Sequence, residues 1–359
     1  MNLSPKVDVA YDQFQNKRYF SSLDGLRFLS ILGVIWHHTV SNKGYLKQYN
    51  FFSDGHLGVQ LFFAISGFLI TTLLLRENIK HKDISLKKFY MRRTLRIFPL
   101  YYAVLLIYIG VVYFLEKDSS RSLAFWNNLI PYFTYTSNWF VRLDPVKGTV
   151  FFFAWSLATE EQFYLIWPSV EKYFRKLWWT IPSIIFCLKI LINNKIFLNN
   201  TFIGLVVQKI PETIIFGVMY AHYLFDRRYF SIIYKLIGYK WSSLLIFLLL
   251  LLSVIFNLHS VIIYFLMATF IISCVLREDH YLSSFFKIKV FVKMGVVSYG
   301  MYLYHMLCAN AVWRVINYLN ISHISLHFIL TLLVTFGVSI ISFKTFEKYF
   351  LDLKEKYAV

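Results

Sequence analysis

The chemistry in this chain starts from a few ionisable side chains set inside apolar sequence. Arg27 and His38 stand eleven residues apart on one apolar stretch, with His37 beside the second. Glu160 and Glu161 lie in another stretch, Glu212 in a third and His305 in a fourth. An ionisable group in such a setting is costly and usually faces a protein interior or a watery cavity. A neutral imidazole near pH 7 takes a proton from a hydroxyl, and a carboxylate holds the ring and stabilises its cation. These residue types point to His38 as a general base, with Glu160 and His305 converging on it from other helices. The bland alternative is that such groups only hydrogen-bond helices together, and for Glu161 and Glu212 it is at least as good.

A second group is the basic run Lys87, Lys88, Arg92, Arg93 and Arg96, which ends at Ile97-Phe98-Pro99. Most such runs are anchors on anionic lipid head groups. Arg93 and Arg96 are three apart, however, and share a face if the segment is helical. Two planar guanidinium forks suit bidentate binding of phosphates. Phosphate-binding groups on one side, with histidine and glutamate deeper in, suggest a phosphorylated carrier that delivers a group into the membrane.

The elements that must position these groups follow from composition. The 359 residues are 58% hydrophobic and 20% aromatic, with 16% charged residues and a mean hydropathy of +0.54. Soluble domains carry about 25% charged residues, so this chain lacks the groups to coat a water-facing surface. Disorder and a disulfide-rich secreted domain are excluded on the same grounds. Cys187, Cys274 and Cys308 each sit in apolar runs without metal-ligand spacing and read as packing residues. No metal is expected.

Scanning for runs of roughly 20 apolar residues gives ten candidate spans. They are 24–41, 57–75, 97–115, 150–168, 177–193, 201–224, 241–257, 259–276, 291–313 and 325–343. With the N-terminus inside, 26 basic residues fall on the cytoplasmic side and eight on the other. That asymmetry obeys the positive-inside rule and accounts for the net charge of +18 without nucleic acid. The expectation is an all-α polytopic membrane helix bundle of ten transmembrane helices, both termini cytoplasmic. Its domains would be a tail at 1–22, a transmembrane domain at 23–346 and a tail at 347–359. In this topology His38 ends the first helix near the outer face, and Glu160 falls in the outer half of the fourth. The aromatic loop 116–149 suits a segment lying in the interface.

At these residues the chain resembles the acyltransferase-3 family of integral-membrane O-acyltransferases. The resemblance runs from about Ser22 to the end of the tenth span. Leu23-Asp24-Gly25-Leu26-Arg27 followed by His38 is similar to the family's arginine, ten residues, histidine motif. Gly58 to Phe63 with Ile65-Ser66-Gly67-Phe68-Leu69 resembles its second-helix signature, and Arg93-Thr94-Leu95-Arg96 its Arg-x-x-Arg motif. Trp155-Ser156-Leu157 through Tyr164 resembles a further motif, and Gly295 with Ser298-Tyr299 through His305 a late one. Gln60 stands where an acidic residue is common in the family, and many relatives add an SGNH hydrolase-like domain that this sequence does not show.

The resemblance implies acyl transfer, usually acetyl, from cytoplasmic acyl-CoA (acetyl-CoA) to a hydroxyl of a glycan or lipid-linked saccharide at the bacterial cytoplasmic (inner) membrane. In that reading Arg93 and Arg96 bind the CoA phosphates, and Arg27 contacts the donor or holds the first helix in register. His38 is the base and Glu160 its orienting partner or a relay. His305 binds the acceptor, and Trp155, Tyr164 and Tyr299 offer faces for sugar stacking. Direct attack and an acyl-histidine intermediate both fit. The rival is a proton-coupled transporter or flippase using the same buried groups as a relay. A third reading is a sensor or assembly protein without chemistry, whose oligomeric state the sequence leaves open.

Overall fold

In hydrocarbon every backbone N–H and C=O must bond within its own segment, which leaves the helix as the form open to an isolated apolar run. The structure, a computed structural model, describes residues 5–17, 19–41, 56–117, 119–142, 150–194, 201–320 and 323–357. Arg18, Lys43, Lys47, Lys147 and Lys195, counted above among the loop charges, lie outside these residues. The described residues form helices and their connections, with no strand among them. The protein is an all-α polytopic membrane bundle.

Each of the ten apolar stretches carries helix. His56–His81, Leu86–Leu115 and the run Ser325–Glu355 are each long and apolar enough to cross a bilayer alone. Two bent pairs, Phe202–Gln208 with Glu212–Phe225 and Arg227–Ile237 with Ser242–Ile255, raise that number to five. Three boundaries differ from the sequence expectation. The third helix starts at Leu86, not 97, because Ser85 caps it by accepting the Lys88 N–H at 3.4 Å and Pro99 is carried within it. The sixth stretch breaks before Glu212, at Pro211, which has no N–H to continue a helix. The ninth divides into Lys289–Val296 and Ser298–Tyr318.

The broken sixth stretch leaves backbone carbonyls without helical partners. Lys189, buried on the Thr180–Asn193 helix, donates to the Gln208 carbonyl at 3.0 Å and to that of Ile210. A lysine within the fifth apolar stretch thus caps a neighbouring helix end, where a cation is favoured.

The chain divides into two compact units, Met1–Arg76 with Glu212–Lys344, and Glu77–Pro211 with Thr345–Val359. In the first, close backbone contact does the packing. A Cβ on Gly67 would lie 2.4 Å from the Ile214 carbonyl, and one on Gly217 would lie 2.5 Å from that of Ala64. His56–His81 and Glu212–Phe225 cross at these paired glycines, as small residues allow in membrane bundles. Gly295 is tighter still, 1.9 Å from the Asp24 carbonyl by the same measure, so the late motif and the first motif meet as backbone on backbone.

In the second unit, Leu86–Leu115 and Ala154–Tyr173 run antiparallel, since Tyr90 bonds to the Leu165 carbonyl at 2.8 Å while Tyr101 packs on Phe151. The 116–149 loop holds the short helices Ser120–Asn127, Leu129–Phe133 and Ser137–Phe140. It is fastened by Tyr101, whose hydroxyl donates to the Tyr132 carbonyl at 2.7 Å, and by paired amides of Asn138 and Gln162, each donating to the other at 2.9 Å.

The connection after Ser260–Leu276 lies outside the apolar stretches and is pinned by charge. Glu278 accepts from Lys17 at 2.5 Å, Ser21 at 2.5 Å and Lys287 at 2.8 Å, and Asp279 pairs with Arg277 and Lys240. Beside them the buried His280 ring sits between the Ser22 and Ser243 hydroxyls, 3.0 Å from each. Burial, with Lys287 nearby, pushes its pKa down from 6.5 to about 4. The unfolded chain therefore binds a proton that the folded chain refuses, so this contribution is complete above pH 6.5 and is lost as pH falls towards 4. Thermal unfolding in detergent should show the midpoint dropping by several degrees between pH 7 and pH 5, with a shallower slope in His280→Gln.

Candidate active site

The first helix, Ser21–Trp36, passes into a π-turn at His37–Ser41. Such wide turns are frequent at functional sites. Here Thr39 returns its hydroxyl to the Ile35 carbonyl at 2.7 Å, which holds the turn from within. The turn brings the His38 ring to 5.1 Å from that of His305, with planes 35° apart, and to 4.9 Å from that of His37. His305 is fully buried on Ser298–Tyr318, its Nδ1 2.5 Å from the Tyr302 carbonyl. The Tyr302 ring packs on His305 at 5.4 Å and meets Phe62 of the second helix at 6.4 Å. Residues from three of the sequence motifs thus meet in the first unit.

Gln60 explains its own departure from the family pattern. It is buried, its carbonyl oxygen accepts from Thr213 at 2.6 Å, and its amide nitrogen lies 3.1 Å from the His56 ring. An amide both donates and accepts, whereas a carboxylate only accepts. At the start of the first helix, Arg27 donates to Asp24 at 2.7 Å, and the other Asp24 oxygen accepts from Tyr19. Its guanidinium is engaged within its own helix.

The second unit holds the other cluster. Arg93 lies over the ring of Phe89 at 5.7 Å and over that of Tyr164 at 5.2 Å, with cation–π contact on both. The Tyr164 hydroxyl donates to the Glu160 carboxylate. Glu160 therefore stands one helical turn, about 6 Å, from the residue under Arg93. Tyr164 is correspondingly a support for Arg93, with one face committed. Trp155 lies on the same helix as Glu160, partly exposed, and Tyr299 lies partly exposed on Ser298–Tyr318 in the first unit.

Sequence reasoning missed one member of this cluster. The Lys348–Glu355 helix, within the tail expected at 347–359, packs along Leu86–Leu115. Arg92 pairs with Glu77 at 3.1 Å and donates to the Tyr357 carbonyl at 2.9 Å. One turn earlier, the half-buried Lys354 feels the charges of Arg96, Arg93 and Arg92. The signal was the unbroken helical stretch from the tenth span through residue 355. Four basic side chains from two distant parts of the chain converge, a donor set suited to an anion with several phosphates. Among the described residues no group of three or more histidine, cysteine or acidic side chains is placed to hold a metal ion.

Residues 20–344 match the acyltransferase-3 family, described as an acyltransferase domain. The chain belongs to this family. It is 33% identical over 189 residues to the peptidoglycan O-acetyltransferase OatA of Listeria monocytogenes serovar 1/2a, covering 49% of this chain and 28% of that protein. A Staphylococcus aureus (strain COL) protein carrying the name "Putative O-acetyltransferase" is 38% identical over 166 residues, 45% of this chain and 26% of its own. The Bacillus subtilis (strain 168) protein named "Putative peptidoglycan O-acetyltransferase YrhL" is 34% identical over 170 residues, 44% and 24% respectively. The matches thus cover about a quarter of the length of these relatives. No solved structure matches.

The Gln60–Thr213 bond can be tested without touching either cluster. Thr213→Val keeps the shape and removes the donor, leaving a buried amide oxygen without its partner. A loss of about 1–3 kcal/mol is expected, read as a lower thermal unfolding midpoint in detergent.

Proposed function

We propose that this chain is a membrane O-acetyltransferase that moves an acetyl group from acetyl-CoA, bound from the cytoplasm, to a hydroxyl of a cell-wall glycan or its lipid-linked precursor. The observation that carries this reading is the imidazole pair, half-buried His38 against fully buried His305, in a chain of acyltransferase family. The names of the relatives support the choice of acetyl and of a peptidoglycan-like acceptor. The bacterial cytoplasmic membrane is the location that fits these features.

In this reading His38 takes the proton of the acceptor hydroxyl as its oxygen attacks the acyl carbonyl carbon. The new C–O bond forms, the C–S bond of the thioester breaks, and the proton returns from His38 to the departing thiolate. The donor supplies the acyl group and the phosphates by which it is held. Arg93 and Arg96 bind those phosphates, with Arg93 kept flat and oriented by Phe89 and Tyr164. Glu160 acts through Tyr164, fixing the ring on which that guanidinium rests. Arg27 holds the first helix in register, while Trp155 and Tyr299 offer ring faces to the acceptor sugar.

A proton-coupled transporter or flippase is the second reading, and the helix broken at Pro211 beside Glu212 favours it, since transporter sites use interrupted helices. Mass spectrometry of glycans and lipids from cells with and without the gene separates the two. A transferase adds or removes a mass of one acetyl group, whereas a transporter changes only the amount or location of a glycan.

His38→Ala should abolish transfer while the protein stays folded and inserted; retained activity would move the base to His37 or His305. Replacing Arg93 and Arg96 with Ala should weaken acetyl-CoA binding by roughly tenfold or more. Lysines should restore little of it, because a point charge neither forks nor stacks. Unchanged affinity would place the donor site elsewhere.

A further inference from the structure

The geometry points to the Arg227–Ile237 helix as an interfacial element that seats the protein on anionic phospholipid. The helix opens at Asp226, whose carboxylate accepts from the Arg228 N–H at 2.8 Å and from that of Tyr229 at 3.4 Å. Its eleven residues span roughly 16 Å, about half of a hydrocarbon core, so it cannot cross a bilayer alone. Beyond it the chain bends by 76° into the apolar helix Ser242–Ile255. Set nearly square to a helix of the 241–257 apolar stretch, it lies along the bilayer surface.

One side of the helix faces the protein. Phe230 is fully buried, its ring 5.1 Å from that of Tyr11 and 5.9 Å from that of Phe14, both on the Pro5–Asn16 helix. Arg227 pairs with Asp8 of that helix at 2.6 Å. A second apolar stripe is left outside: Tyr229, Ile232 and Leu236, three and four apart, are 44%, 55% and 68% exposed. Arg228 and Lys235, seven apart and both exposed, lie along one edge of this stripe.

Two observations say what covers the stripe. The exposed apolar surface continues through Tyr239 and Trp241, whose rings stack at 5.4 Å, onto Leu244, Leu245 and Leu248 of the next helix. Tyrosine and tryptophan belong at the boundary between acyl chains and water, and the leucines beyond them face lipid. The charge beside the stripe is positive, and the distribution of basic residues puts this connection on the cytoplasmic side, where the leaflet is anionic. Tyr229, Ile232 and Leu236 therefore enter the acyl boundary, while Arg228 and Lys235 reach the phosphates above them. Through Phe230 and Arg227 the seated helix also holds the Pro5–Asn16 helix against the bundle.

The test places a bimane fluorophore on Ile232→Cys or Leu236→Cys in a Cys187→Ser background, which removes the exposed native cysteine. Each full-length protein is reconstituted into vesicles of phosphatidylcholine and phosphatidylglycerol at about three to one, a composition with an anionic surface. Nitroxide on the acyl chains should quench both sites, and iodide in the water should reach them at least about fivefold less than it reaches free bimane. At equal mole fraction, nitroxide phosphatidylglycerol should quench at least about threefold more than nitroxide phosphatidylcholine. Adding Arg228→Gln and Lys235→Gln should bring that ratio to about one and leave the depth unchanged. Ready quenching by iodide, with little from lipid nitroxide, overturns the inference. Shielding from both quenchers overturns it too, and cross-linking between two Ile232→Cys chains would then name a second copy as the cover. A ratio of about one with both basic residues in place overturns the choice of anionic lipid.

Discussion

A polar side chain in hydrocarbon has no water to fall back on, so its hydrogen-bond partner must come from the protein. That constraint shapes this molecule at every level. Lys189 survives at a buried position because a broken helix offers it two carbonyls. Gln60 persists because Thr213 and His56 use both ends of its amide. Asn138 and Gln162 satisfy each other across a loop and a helix. The His305 ring is oriented by a carbonyl of its own helix for the same reason. Each bond removes a cost of desolvation, and in doing so fixes a side chain in one orientation. Where that side chain can move a proton, fixing it is a step towards catalysis.

The recurrent sequence motifs divide into two kinds of residue that a string of letters does not separate. Gly67 and Gly295 admit a neighbouring backbone, so their importance is steric. Arg93, Glu160 and Tyr164 form a chain of contacts whose members orient one another. Arg27 sits between these kinds: it carries a charge suited to a donor, yet that charge is paired within its own helix.

The helical character of the apolar stretches was legible because an apolar run of about 20 residues has few other stable forms. Their ends were less so, since a Ser85 cap and a helical Pro99 are local chemistry that hydropathy does not register. The pairing of His38 with His305 was legible as an expectation of convergence, from residue type and depth alone. How Glu160 stands to Arg93 was not legible, because counting along one helix ignores how far two antiparallel helices are slid past each other. The contact of Tyr90 with Leu165 sets that slide, and no spacing within either segment encodes it. The place of Lys354 was not legible either: its charge was counted, but no spacing encodes the packing of its helix along Leu86–Leu115.

The π-turn gives the interval between Arg27 and His38 a meaning beyond distance. Eleven residues close three helical turns almost completely, so the two side chains emerge in nearly the same direction about the axis. Loss or gain of one residue would swing the imidazole by about 100°, away from the His305 ring that it now meets at 5.1 Å. The motif is therefore best understood as a clock setting, in which what is specified is the hour at which the histidine points.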